Sequence, residues 1–218
     1  IMCPTLSDNG MNDLAYTLLL NEEYPGWLHE ILLGATTVWE RWNSLDEEGH
    51  ISSTGMNSLN HYSYGSVVEW VYRYVLGFRV DEADPGAKHL NIAPSYNWNL
   101  KEAAGNFDSA AGNYKVAWKI VDPTQVSLSV QVPFDASADI VLADAVEDTY
   151  ADKENPLFAD VCDGVCHVGS GTYEITYQVK TALKKSYSTY STVRELRSNA
   201  AIVKDLGEKM GLDRMPTQ

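Results

Sequence analysis

Every second residue is apolar in Tyr114, Val116, Trp118 and Ile120, and again in Val126, Leu128, Val130 and Val132. That is the period of a strand with one buried face. Asp122-Pro123 separates the two runs as a hairpin turn would. Further runs at residues 88–93, 100–107, 138–142 and 173–179 bring the predicted strands to about six, with the glycine-bounded stretch Gly105 to Gly112 read as a turn region. Short strands in series with turns between them predict an antiparallel β-sandwich.

The first third of the chain follows a different period. Leu14, Ala15, Leu18 and Leu19 recur at helical spacing behind a cap at Asn9 or Asn12. Tyr24-Pro25-Gly26 breaks that helix, and Trp27 to Leu32 forms a second, short one that Gly34 closes. A third helix carries Val67, Val68, Val71, Tyr72, Val75 and Leu76 around much of its circumference and ends at Gly77, a pattern that predicts burial on most sides. The charged turn at residues 81–86 marks a change of composition and divides the chain into 1–80, 81–186 and 187–218. In the last part Thr192 to Glu195 fits a capping box, and Asn199 caps a short helix with Ile202, Val203, Leu206 and Met210 on one face before Gly211.

Between the second and third helices the chain is polar, and residues 43–60 form a long connection of the kind that often lines a site. Just before it, Trp39-Glu40-Arg41-Trp42 sets one carboxylate between two indoles with a guanidinium beside it. Indole faces stack on sugar rings and strip water from a neighbouring carboxyl, while an adjacent cation favours the carboxylate. An ionised, partly enclosed carboxylate is what a general base requires. Glu40 is therefore the candidate catalytic residue, expected in a loop or at the first turn of a new element. Glu30 and Glu69 also sit among apolar residues and read as helix-surface carboxylates.

Charge narrows the partners. With 30 acidic against 16 basic residues the formal charge is -14, which disfavours nucleic acid and anionic membrane surfaces and suits a neutral partner such as a carbohydrate. No apolar run approaches the roughly 18 residues of a membrane span. Cys3, Cys162 and Cys166 are too few and too uneven for a disulfide framework and read as reduced thiols. Cys162 and Cys166 enclose three residues beside His167, but a zinc site needs a second ligand pair, so a hairpin loop with incidental thiols is the better reading and no metal or other cofactor is expected. Neither a phosphate-binding glycine loop nor a nucleophile elbow is present. The compartment stays open, with the cytoplasm favoured.

Three runs carry a family resemblance: GATTVWERWNS, then GHISSTGMNSLNHYSYGSVVEWVYR, then PGAKHLNIAP. Together they resemble the C-terminal part of a bacterial alpha-L-rhamnosidase of glycoside hydrolase family 78, closely over about residues 8 to 145 and loosely beyond. The resemblance implies an α+β chain in which the C-terminal helices of an (α/α)6 barrel precede an antiparallel β-sandwich and a short helical tail. It implies an enzyme that hydrolyses terminal alpha-L-rhamnosides with inversion, and so a rhamnose-containing glycoside as partner. Carried over by position, Glu40 falls on the general base and His61 on a histidine that contacts the bound sugar; Trp39 and Trp42 are candidates for the pocket wall.

The departure from the family pattern counts as much as the match. An inverting glycosidase needs two carboxyl groups, and the family's acidic, tryptophan-containing general-acid motif has no copy in these residues. About 77 helical residues cannot close a barrel of twelve helices. The expectation is a fragment, inactive alone, whose helices 1–77 cover their apolar faces on the sandwich or on a second copy of the chain. The competing expectation is a non-catalytic carbohydrate-binding or assembly module built on the sandwich, with Tyr96, Trp98 and Tyr114 as exposed aromatics, although the alternation puts Tyr114 with the core.

Overall fold

The computed structural model describes residues 2–52, 55–149, 161–185, 187 and 193–210. They form two compact units, 1–184 and 185–218. The helices come first: α1 (Met2–Asp8), α2 (Asn12–Leu19), α3 (Trp27–Leu32), α4 (Tyr62–Gly65) and α5 (Val67–Trp70), the last running into a π-helical turn at Val71–Val75. Helix α1 escaped the sequence reading. Helix α2 starts at Asn12, yet its cap position is Met11 and no side chain caps it, so neither Asn9 nor Asn12 plays that part.

Eight strands follow among the described residues: β1 (Phe78–Arg79), β2 (His89–Ile92), β3 (Glu102–Ser109), β4 (Gly112–Asp122), β5 (Gln125–Val132), β6 (Ser137–Val141), β7 (Val165–Val168) and β8 (Gly171–Gln178). Their pairing makes two four-stranded sheets, β1-β2-β6-β7 and β3-β4-β5-β8. Leu90, Ile92, Ala138, Ile140 and Cys166 from the first sheet share one core with Tyr114, Val116, Trp118, Val126, Leu128, Val130, Ile175 and Tyr177 from the second. The Tyr114 hydroxyl crosses between the sheets to donate to the Ala87 carbonyl at 2.9 Å.

Three details differ from the expected sandwich. All pairs are antiparallel except β2 with β6, which run parallel because the β3-β4-β5 meander intervenes between them in sequence. Gly105 lies inside β3 and not in a turn; Leu76 covers it so closely that a Cβ there would meet the leucine Cδ1 at 2.5 Å. Strands β1 and β7 were not foreseen, whereas the hairpin at Pro123-Thr124 was, with Asp122 Oδ1 accepting the Thr124 amide at 2.7 Å.

The helices pack on the sandwich. Tyr16 is fully buried, meets Trp70 edge-on with ring centroids 5.1 Å apart, and donates to the Ser95 carbonyl at 2.6 Å. Asn97 Nδ2 donates to Asp13 Oδ1 at 2.8 Å. The Trp118 indole N–H reaches from β4 to the Val75 carbonyl at 2.7 Å, at the end of the π-helical turn. The expected burial of the third helix on most sides is only partly met: Trp70, Tyr74, Val75 and Leu76 are buried, while Val68 and Tyr72 are exposed. Among the described residues no helix is long and apolar enough to cross a membrane.

The indole bond makes a first prediction. Trp118→Phe keeps an aromatic ring on the core face but leaves the Val75 carbonyl buried without its donor, and should lower stability by about 1–3 kcal/mol. Chemical denaturation of the chain measures this; an unchanged midpoint would show that the bond contributes nothing.

In the second unit, α6 (Val193–Arg197) and α7 (Ala200–Met210) form the tail, and Asn199 caps α7 by accepting the Ala201 amide at 3.1 Å. Val203 stays exposed on that helix. Thr192 and Gly211, named as a cap and a terminator, lie outside the described residues.

Candidate active site

Helix α3 ends where Gly34 takes a left-handed conformation, φ 87°, with its amide on the Ile31 carbonyl at 2.9 Å. The chain then runs through residues 35–42 without regular structure, so Glu40 sits in a loop, as its sequence context suggests. This loop is held residue by residue. The Thr37 hydroxyl donates to the Leu59 carbonyl. The Val38 carbonyl accepts the His61 amide at 2.8 Å, the Trp39 amide donates to Glu30 Oε2 at 3.3 Å, and the Glu40 amide donates to the Ser58 carbonyl at 2.8 Å.

The polar connection that follows is the other half of the clamp. Ser44 is fully buried; its hydroxyl accepts the Arg41 amide at 3.2 Å and donates to Asn57 Oδ1 at 2.6 Å. Asn57 Nδ2 returns to the Ser44 carbonyl at 2.9 Å. A Leu45–Ile51 bridge lies in the loop between them. Buried polar groups paired in this way stabilise one loop conformation, because any other leaves them unsatisfied.

His61 and Glu40 are thus brought onto neighbouring strands of backbone. His61 caps α4, with Nδ1 accepting the Ser63 amide at 3.2 Å. An accepting Nδ1 leaves Nε2 to carry the ring's N–H donor. The imidazole stacks on Tyr62, which is exposed, with centroids 5.1 Å apart.

The two tryptophans of the motif part company. Trp39 is 2% exposed. Trp42 is half-buried and stacks on Tyr64, with centroids 4.5 Å apart and ring planes 4° from parallel, while Trp27 meets it edge-on at 5.3 Å. Trp27 Nε1 fixes this group by donating to the Tyr64 carbonyl at 3.1 Å. Burial, with the charges of Glu30 and Tyr24 nearby, pushes the Tyr64 phenol up from its ordinary value.

Glu30 corrects the sequence reading outright. It is not a surface carboxylate but is 3% exposed, while its neighbours Ile31 and Leu32 are exposed. Burial raises its carboxyl from the usual range, and the Trp39 amide works against that rise. Glu69 does lie at the surface, 3.7 Å from Arg73. Ser44, Asn57 and Tyr64 were not singled out either; a buried serine in a polar loop leaves no trace in composition.

Cys162 is exposed and Cys166 buried, its thiol pushed up to about 11 by burial, and they flank the turn that leads into β7. His167 hydrogen-bonds Asp139 through Nδ1 at 2.6 Å instead of facing the thiols. Asp46, Glu48 and His50 gather at the surface, where such groups are common without an ion. Of the aromatics that suggested a sandwich binding face, Tyr114 and Tyr96 lie in the core and Trp98 is half-buried with Lys101 Nζ 5.0 Å from its ring.

Residues 1–75 match the model of the bacterial alpha-L-rhamnosidase 6 hairpin glycosidase domain, and residues 77–156 that of the bacterial alpha-L-rhamnosidase C-terminal domain. The fold is therefore a six-hairpin glycosidase segment joined to the sandwich that follows it. The chain belongs to the bacterial alpha-L-rhamnosidase family. It is 40% identical over 141 residues to an alpha-L-rhamnosidase of Alteromonas sp., covering 65% of this chain and 15% of that protein. To one of Formosa agariphila it is 38% identical over 156 residues, covering 71% and 16%. The crystal structure of Streptomyces avermitilis alpha-L-rhamnosidase complexed with L-rhamnose superposes with a TM-score of 0.66 at 31% identity, over 79% of this chain and 17% of that one. The chain thus spans about a sixth of the length of the relatives it matches.

Proposed function

We propose that this chain supplies the general base, Glu40, of an inverting alpha-L-rhamnosidase, and that the activity belongs to a longer protein in which residues 1–80 complete a six-hairpin barrel, 81–186 form the sandwich and 187–218 a tail. The observation that carries the reading is the clamp on the Glu40 loop. Backbone bonds on Val38, Trp39 and Glu40 fix the loop that carries this half-buried residue, and the Val38 carbonyl ties that loop to the His61 amide. A fixed carboxylate can hold a water and take its proton as the water attacks the anomeric carbon, provided the acid stands roughly 6.5–9.5 Å away across the bond. In this reading the acid comes from outside these residues, His61 donates to a rhamnose hydroxyl, and Trp42 and the more deeply placed Trp39 form the wall.

Surface chemistry supports a place within a larger barrel: Leu14, Ile31, Leu32, Met56 and Tyr62 expose apolar side chains on the helical part. Two assays test the proposal. The 218-residue chain incubated with an aryl alpha-L-rhamnoside should release no aryl alcohol above buffer; enzyme-dependent release would end the claim that it is inactive alone. The full-length enzyme should release rhamnose whose first-formed anomer, followed by proton NMR, is opposite to the substrate's. Retention would remove Glu40 from the base role.

A further inference from the structure

We infer that Glu30 is the positioning residue for the general base, anchoring the loop that carries Glu40 at two points, Ala35 and Trp39; the inference rests on the proposed role of Glu40. One residue makes both attachments. Its carbonyl accepts the Ala35 amide at 3.0 Å and its carboxyl Oε2 accepts the Trp39 amide at 3.3 Å, so residues 35–39 are spanned from a single point on α3. The second attachment falls on the Val38–Trp39 peptide unit, one residue before the unit whose N–H belongs to Glu40.

The energetics argue that this carboxyl is there for position and not for stability. Taking a carboxyl out of water costs free energy that one backbone hydrogen bond only partly offsets. Oε1 has no hydrogen-bond partner among the described residues, so part of that cost stands uncompensated. The raised carboxyl has burial as its first cause, in keeping with this cost. On α3 Glu30 faces inward, toward the Glu40 loop, while Ile31 and Leu32 are exposed in this chain. An apolar side chain of similar size would fill the same space without the desolvation cost but could not hold the Trp39 amide.

The consequence separates structure from function. A residue important only for packing loses stability and activity together when replaced, whereas Glu30→Leu should leave the melting temperature of the chain unchanged or raised. In the full-length enzyme the same change should lower kcat about a hundredfold, the effect of roughly an ångström of misplacement, with KM moved less than about threefold. Glu30→Gln, which keeps an amide oxygen for the Trp39 N–H, should restore kcat to within about threefold of wild type.

The direct readout is amide hydrogen exchange in the 218-residue chain. With Glu30→Leu the Trp39 amide should exchange at least about tenfold faster while the β4 and β5 amides keep their rates, and Glu30→Gln should restore protection. Unchanged Trp39 exchange, or undiminished kcat in the leucine variant, would overturn the inference. Equal loss of kcat in the leucine and glutamine variants would overturn it as well, since the acceptor would then not be what matters. A failure of the base assignment looks different: Glu40→Gln would keep its turnover while the exchange result stood.

Discussion

Glu40→Gln in the full-length enzyme is expected to lower kcat by between about a hundredfold and ten-thousandfold, the range that a positioned general base supplies, with KM changed by less than about threefold. Glutamine keeps the shape of the side chain and can still hold a water, but it cannot take the water's proton, so the loss should fall on the chemical step. The Glu40 amide would still reach the Ser58 carbonyl, and the Ser44–Asn57 pair is untouched, so the folded chain should melt as wild type does. Glu40→Asp is the sharper variant. It keeps the base and withdraws it by about one carbon–carbon bond, roughly 1.5 Å, a displacement that proximity arguments put at about a hundredfold. Near-normal turnover in the glutamine variant would take the base role from Glu40, whereas normal turnover in the aspartate variant alone would mean that the loop moves to compensate.

How much of this was legible in the sequence depended on the length of the pattern. Strands β4 and β5 carry eight or more residues each and announced themselves through alternation, as did the hairpin between them. Strand β1 has two residues and β7 four, too few for any period to show. Gly105 misled because a glycine in a strand normally marks a turn or bulge; here its missing Cβ makes room for Leu76 from the helical part, a long-range contact that no local window contains. The fold class came through, and the loop position expected of Glu40 with it, since the grouping that marks it is local. Its supports did not, because they depend on which way α3 faces. Sequence read Glu30 as a helix-surface carboxylate, and the structure turns it inward against the Trp39 amide. A hydrophobic pattern of six residues is too short to resist such a demand.

The join between helices and sandwich should be the least tolerant position in the chain, and Gly77→Ala is expected to cost about 4 kcal/mol or more. Two effects add there. Gly77 has φ 85°, a left-handed conformation that a Cβ disfavours, and that Cβ would stand 2.3 Å from the Pro94 nitrogen and 2.5 Å from the Ala93 carbonyl carbon. Those neighbours are backbone and cannot swing aside. They are also fixed by the pairing of the segment, with the Ala93 amide on the Gly77 carbonyl at 2.9 Å and the Ser95 amide on the Tyr74 carbonyl at 2.8 Å. Losses of this size arise only from a few mechanisms, and backbone collision is one. At about 2–4 °C per kcal/mol for a chain of this length, the melting temperature should fall by roughly 10 °C. Gly34→Ala isolates the conformational part, because Gly34 has a similar φ of 87° but nothing within 4 Å of its Cβ position; it should cost about 1 kcal/mol. Thermal unfolding of the two variants side by side measures the difference. Equal losses would show that the sheet edge can yield at Pro94, and that the close approach of helix and sandwich contributes little to holding them together.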